Sequence, residues 1–161
     1  GAINVLIDEN AICIKKDDYV FNTRTIIADF PNWKFIINGM TTDKTATVLK
    51  SDLSKLMKRM LIFARDNATA KNGITFDIKD NKINVKAIAD KGKAKDKIEC
   101  IQSGENIKIS LNAQFIQDYL NSTNKDTINI SFRTAQTPVI IKPDTNTNES
   151  MYMMMPLAMA E

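Results

Sequence analysis

Apolar and polar positions alternate along most of this chain, the pattern of strands with one buried face. Val5 and Ile7, then Ile12 and Ile14, flank Asp8-Glu9-Asn10 and predict a hairpin. Tyr19, Phe21 and Thr23 continue the rhythm beyond an Asp17-Asp18 turn. Ile74, Phe76 and Ile78 are expected to pair with Ile83, Val85 and Ala87 across Asp80-Asn81-Lys82. Further alternations run through Ile98 and Cys100, through Ile107, Ile109 and Leu111, through Ile128, Ile130 and Phe132, and through Val139 and Ile141. Turn chemistry at roughly 8–12-residue spacing predicts a largely antiparallel sheet protein.

Two segments switch to the helical period. Ser51 to Asp66 places Leu53, Leu56, Met57, Met60, Leu61 and Ala64 on one face, with Ser51 as a fitting N-cap and Asp52 complementing the helix dipole. Its opposite face carries Lys55, Lys58, Arg59 and Arg65. Asn112 to Asn121 opens on another good N-cap and is expected to bury Phe115, Ile116, Tyr119 and Leu120. From about residue 45 to 157 the order is helix, four strands, helix, three strands, a duplicated helix-then-strands unit. Residues 3–33 give three strands and no helix to cover them, so they read as the later part of a domain whose first part is absent.

The end of the chain breaks the rule that tails are polar. Tyr152-Met153-Met154-Met155-Pro156-Leu157-Ala158-Met159-Ala160-Glu161 is almost wholly apolar. Consecutive thioethers form a soft surface suited to gripping several partners. A terminal strand with a buried face explains the same composition, and the two readings are compatible if the strand ends in a partner groove.

Composition narrows the chemistry. With 43% hydrophobic and 25% charged residues the chain has a globular composition. It shows no apolar run long enough for a membrane span and no signal peptide. Gly1-Ala2, without an initiator methionine, reads as a cloning remnant. Cys13 and Cys100 are isolated, which favours a reduced, cytoplasmic setting, so the glycosylation-like Asn121-Ser122-Thr123 and Asn148-Glu149-Ser150 carry no weight. A net charge of +3 is too small to argue nucleic-acid binding by itself. Histidine is absent, which removes the commonest general base and metal ligand. No Gly-rich phosphate loop occurs either. Asp144 to Glu149 resembles the start of a calcium loop, but Glu149 stands where the turn needs Gly and Met155 where the bidentate Glu belongs. A polar surface loop is the better reading. Enzyme chemistry, metals and cofactors are therefore not expected.

At this point the chain resembles the C-terminal part of the bacterial DNA polymerase III beta subunit family, the replicative sliding clamps. One anchor is Thr23-Arg24-Thr25-Ile26-Ile27-Ala28-Asp29-Phe30-Pro31-Asn32-Trp33, similar to the segment closing the family's middle domain. The helix–strands–helix order, with Asn112 and Phe115, is the second; the Tyr152–Met159 tail is the third. Departures are Thr25, Ile27, Ala28, Trp33 and Ala158, the last replacing a usual Arg, and Ala160-Glu161 runs past the usual stop.

The resemblance implies an α+β DNA-clamp fold, with antiparallel sheets outside and two helices per domain inside. It divides the chain into 1–37 from the middle domain, a linker at 38–43, and a complete last domain at 44–161. It implies a non-catalytic processivity factor that closes as a head-to-tail homodimer around duplex DNA. Lys55, Lys58, Arg59 and Arg65 would face that DNA. The polymerase III alpha subunit, the clamp loader, other polymerases and repair proteins would dock by short linear motifs. Their groove would use Pro31, Ile36, Asn112, Phe115, Gln136, Pro138, Met153, Met154, Met155, Pro156 and Leu157, and would be incomplete without the missing half of the middle domain. Lys91, Lys93, Lys95 and Lys97, interrupted by Asp96, read instead as protection of a strand edge. A small β-rich binding domain unrelated to replication is the alternative, and binding of a Gln-x-x-Leu-Phe peptide separates the two.

Overall fold

The computed structural model describes residues 2–66, 70–89, 92–145 and 150–158. The chain divides into two compact units, residues 1–39 and 40–161.

The first unit is an antiparallel meander of β1 (Asn4–Ile7), β2 (Ala11–Lys16) and β3 (Tyr19–Arg24), followed by α1 (Trp33–Gly39). The Asp8 carboxylate accepts the Asn10 and Ala11 amides at 2.8 and 2.7 Å and so shapes the first turn. Val5, Ile7 and Phe21 are all exposed. Helix α1 is an element the periodicity did not announce. Its start is set by the Asn32 side chain, whose Oδ1 accepts the Phe35 amide at 3.1 Å.

The second unit carries the core. β4 (Lys44–Leu49) leads into α2 (Lys50–Ala64), then β5 (Gly73–Lys79), β6 (Lys82–Ala89), β7 (Gly92–Glu99), β8 (Ile101–Ser103) and β9 (Ile107–Asn112). α3 (Ala113–Ser122), β10 (Thr127–Phe132), β11 (Val139–Pro143) and β12 (Tyr152–Met154) complete it. Two antiparallel sheets result, ordered β12-β11-β10-β4-β8 and β7-β6-β5-β9. Leu53, Leu56, Met57, Phe76, Ile109, Ile116, Leu120, Ile130 and Phe132 are among the residues filling one continuous core. Burial of that apolar area is the main stabilising term. Asp80 and Asn81 both take positive φ, at 53° and 55°, which makes the β5–β6 link a tight two-residue hairpin.

The pattern reading needs four corrections here. β4 was missed, because its Thr45-Ala46-Thr47-Val48 sequence alternates small and β-branched residues without large apolar ones. Ser51 is not the cap of α2: the strand runs straight into the helix, Leu49 takes the cap position, and the Lys50 amide is satisfied by the Asp126 carbonyl at 2.7 Å. The Ile98–Cys100 strand belongs to a longer β7, after which the chain crosses at Cys100 to the other sheet as β8. Phe115 is not buried with the rest of α3 but is 49% exposed, while Gln117 takes an interior place.

Candidate partner groove and nucleic-acid face

The apolar tail enters the second unit as a strand. β12 pairs with β11, with Val139 opposite Met154 and Ile140 opposite Met153. Alternation then separates three consecutive methionines: Met154 is buried, Met153 half-buried, and Met155 is 61% exposed. Tyr152 stacks on Tyr119 of α3 with ring centroids 5.6 Å apart, which ties the tail to the helix. Burial pushes both phenols above their ordinary values, an effect reinforced at Tyr152 by the Asp118 charge, and the buried Tyr119 hydroxyl has no hydrogen-bond partner among the described residues.

Beyond β12 the tail crosses to the other sheet. The Leu157 amide donates to the Ser110 carbonyl of β9 at 2.8 Å. Leu157 lies over Gly73, where an added Cβ would stand 3.1 Å from Leu157 Cδ1 and 2.8 Å from the Ala70 carbonyl oxygen. Gly73 pairs with Asn112, the N-cap of α3, whose Oδ1 accepts from the Gln114 and Phe115 amides at 2.9 and 3.3 Å. The tail and the first turn of α3 therefore meet at the end of β9. Phe115 and Met155 are exposed, and Pro156 and Leu157 are half-buried.

Pro138 is half-buried just before Val139, at the β11 end nearest Met155, and Gln136 is exposed in the preceding loop. That loop is held by its own hydroxyls, with Thr134 Oγ1 accepting the Thr137 amide at 3.2 Å. Met154 faces the core rather than the surface. Pro31 and Ile36 are both exposed in the first unit. Gly73 and Ser110 were not singled out by the sequence, since neither a glycine opening a strand nor a serine within one signals a tail-docking site.

The basic face of α2 is real but not uniform. Lys55, Lys58 and Arg65 are exposed, and Arg65 closes the helix through its amide to the Leu61 carbonyl. Arg59 is instead engaged, its guanidinium 2.6 Å from the Asp96 carboxylate of β7. Ile62, which was not foreseen as a surface residue, is 71% exposed on the same side of the helix as Lys55 and Lys58. Lys50, at the helix start, donates through Nζ to the Thr123 carbonyl at 2.5 Å.

Lys93, Lys95 and Lys97 project from β7, which is an edge strand, as the edge-protection reading expects; Lys91 lies outside the described residues. The calcium-like stretch falls mostly outside them as well, at 146–149. Among the described residues no cluster of acidic, Cys or His side chains could hold a metal ion. Burial, and secondarily the Glu99 charge, push the Cys100 thiol up, away from nucleophilic character.

The sequence profile described as "DNA polymerase III beta subunit, C-terminal domain" matches residues 40–158. The chain belongs to the DNA polymerase III beta subunit family. It is 25% identical over 158 residues to the beta sliding clamp of Streptococcus pneumoniae, covering 96% of this chain and 41% of that protein. To the beta sliding clamp of Buchnera aphidicola it is 24% identical over 157 residues, covering 95% and 41% respectively. The crystal structure of the DNA polymerase III beta subunit from Thermotoga maritima superposes with a TM-score of 0.76 at 25% identity, covering 98% of this chain and 42% of that one. The sliding-clamp fold is thereby established for this chain, which spans about two fifths of the length of these relatives. No helix among the described residues is long and apolar enough to cross a membrane.

Proposed function

We propose that this chain is the C-terminal portion of a replicative sliding clamp, a non-catalytic cytoplasmic processivity factor that encircles duplex DNA as a homodimer. Residues 1–37 would belong to the middle domain, 38–43 to a linker and 44–161 to the last domain. Lys55, Lys58 and Arg65 attract the phosphate backbone without reading sequence, and long hydrated cations allow sliding where tight pairing would resist it. Arg59 is held by Asp96 and contributes less.

Partners dock on the surface where the tail meets α3. The observation that carries this reading is the pairing of exposed Phe115 and Met155 with a backbone pinned at both ends, by β12 on one sheet and by Leu157 on the other. A rigid floor with exposed apolar anchors is what a short peptide needs, because little entropy is lost in the receptor. Asn112 uses Oδ1 for its cap, which leaves its Nδ2 as a donor for a peptide carbonyl. Gln136, Pro138, Met153, Pro156 and Leu157 border the groove. Polymerase III alpha, the clamp loader, other polymerases and repair proteins are the corresponding partners.

A fluorescence titration with a Gln-x-x-Leu-Phe peptide tests this. Met155→Ala should weaken binding at least tenfold, about 1.4 kcal/mol, and Lys58→Ala should leave it unchanged. Equal losses from the two substitutions, or no binding by the parent chain, would contradict the assignment.

A further inference from the structure

The four-stranded sheet of the second unit has one face turned to α2 and one turned to solvent. On the helix side stand Phe76, Val85, Ala94 and Ile98, all buried or packed against the core. On the solvent side the antiparallel register assembles a grid of lysines. Lys86 is directly opposite Lys95, and Lys79 opposite Lys82. Lys97 sits opposite Asn84, one step along from the first pair. Lys108 is opposite Asp77, but the Asp77 carboxylate is engaged by Lys79 at 3.0 Å. Glu99 stands at the corner, opposite Lys82. Among the described residues, Lys86, Lys95, Lys97 and Lys108 have no carboxylate within ion-pair distance. A cavity of about 610 Å³ lies over this grid.

Like charges directly opposite each other in a sheet are destabilising. Protection of an edge explains lysines on β7 and Lys108 on β9, the two outer strands, but it does not explain Lys86, which lies on the inner strand β6 directly opposite Lys95. A local rule broken in this way marks a functional surface.

We propose that this solvent-facing side of the sheet is a second nucleic-acid contact, binding the phosphate backbone of duplex DNA independently of the α2 face. The backbone positions that carry neighbouring lysines are roughly 7 Å apart along a strand and about 5 Å apart across strands. Such a spacing presents several cations at once to a polyanion carrying one charge per about 1.7 Å of axis. Single-strand binders supply aromatic platforms for exposed bases, and no aromatic residue occupies this face. An acidic peptide needs several apolar anchors or pockets for specificity, and among the described residues this face offers a single exposed isoleucine, Ile88, beside the lysines, Thr75, Asn84 and Ser110. Backbone contact with a duplex needs only the cations. This reading does not depend on ring closure or on the role assigned to α2.

The test measures binding of the full chain to a short mixed-sequence duplex by fluorescence anisotropy over a series of salt concentrations, with amide chemical shifts recorded alongside. Lys86→Gln should raise the thermal midpoint by relieving the like-charge pair, and yet weaken duplex binding and flatten the salt dependence by about one unit of slope. That combination excludes misfolding as the cause. The combined Lys86→Gln, Lys95→Gln, Lys97→Gln variant should lose at least about tenfold in affinity at about 0.1 M salt. A Lys55→Gln, Lys58→Gln variant should keep the duplex-induced shifts on β5, β6 and β7. The proposal is overturned if the triple variant binds as the parent does, if shifts are confined to α2, or if polyglutamate binds as tightly as the duplex. In the second case the α2 reading stands and only this one falls.

Discussion

Single residues decide how the tail is used. Met154 and Met155 are adjacent, but one is 5% and the other 61% exposed. Met154→Ala should therefore destabilise the fold by about 2–4 kcal/mol through a core cavity. Met155→Ala should stay within about 0.5 kcal/mol of the parent in chemical denaturation, while lowering peptide affinity. Asn112 offers a second separation of roles. Asn112→Ala removes the cap of α3 and should cost about 1 kcal/mol of stability, whereas Asn112→Asp keeps an acceptor for the Gln114 and Phe115 amides and exchanges the Nδ2 donor for a negatively charged oxygen. Asp should consequently retain stability and still weaken the peptide, which denaturation and titration together check. Gly104 has φ at +86°, and a Cβ there would stand 2.5 Å from the Asp43 carbonyl oxygen. Gly104→Ala should destabilise by roughly 1–3 kcal/mol, read from the denaturation midpoint.

Legibility at this scale follows from where the capping group lies in the chain. Asn112 caps residues two and three positions ahead, so its role was written locally. Ser51 looked equally suitable, but the first amide of α2 is satisfied by Asp126, which is far away in sequence. Phe115 was assigned to the core because its spacing fits the buried face of α3. Its place beside the tail follows from the family resemblance and not from the helical period, which carries no information on what lies beside the first turn.

Elements whose burial is one-sided were read from their period, and those decided by tertiary pairing were not. α2 keeps its full apolar stripe inside, and β5, β6, β9 and β10 bury the residues expected of them. β4 and β8 owe their existence to neighbours: β4 is paired on both sides, and β8 is three residues at the end of its sheet. In the first unit, β1–β3 were legible but α1 was not, since Trp33–Gly39 contains no buried residue to give a helical stripe. That unit leaves Val5, Leu6, Val20 and Phe21 exposed on its strands. Apolar surface and free strand edges of this kind recruit further chain. We expect the isolated chain to self-associate through residues 3–33, seen as concentration-dependent sedimentation, or to exchange amide hydrogens there far faster than in 45–157. A monomer with equal protection in both regions would contradict this.

At the scale of the whole molecule, the chain matches only about two fifths of its relatives' length. On the proposed reading, ring closure requires the part of the relatives' length that this chain does not span, so the chain alone should show no topology-dependent retention on circular DNA; equal retention on circular and linearised duplex checks this. The proposed partner surface draws on Asn112, Phe115, Met155 and Leu157 of the second unit. The most direct test is an amide-resolved NMR titration of the labelled chain with a Gln-x-x-Leu-Phe peptide. Saturable shifts are expected at Phe115, Met155 and Leu157 and at Asn112, with Lys55 and Lys58 unmoved. Shifts centred on α2, or none at Phe115 and Met155, would contradict the proposed partner surface.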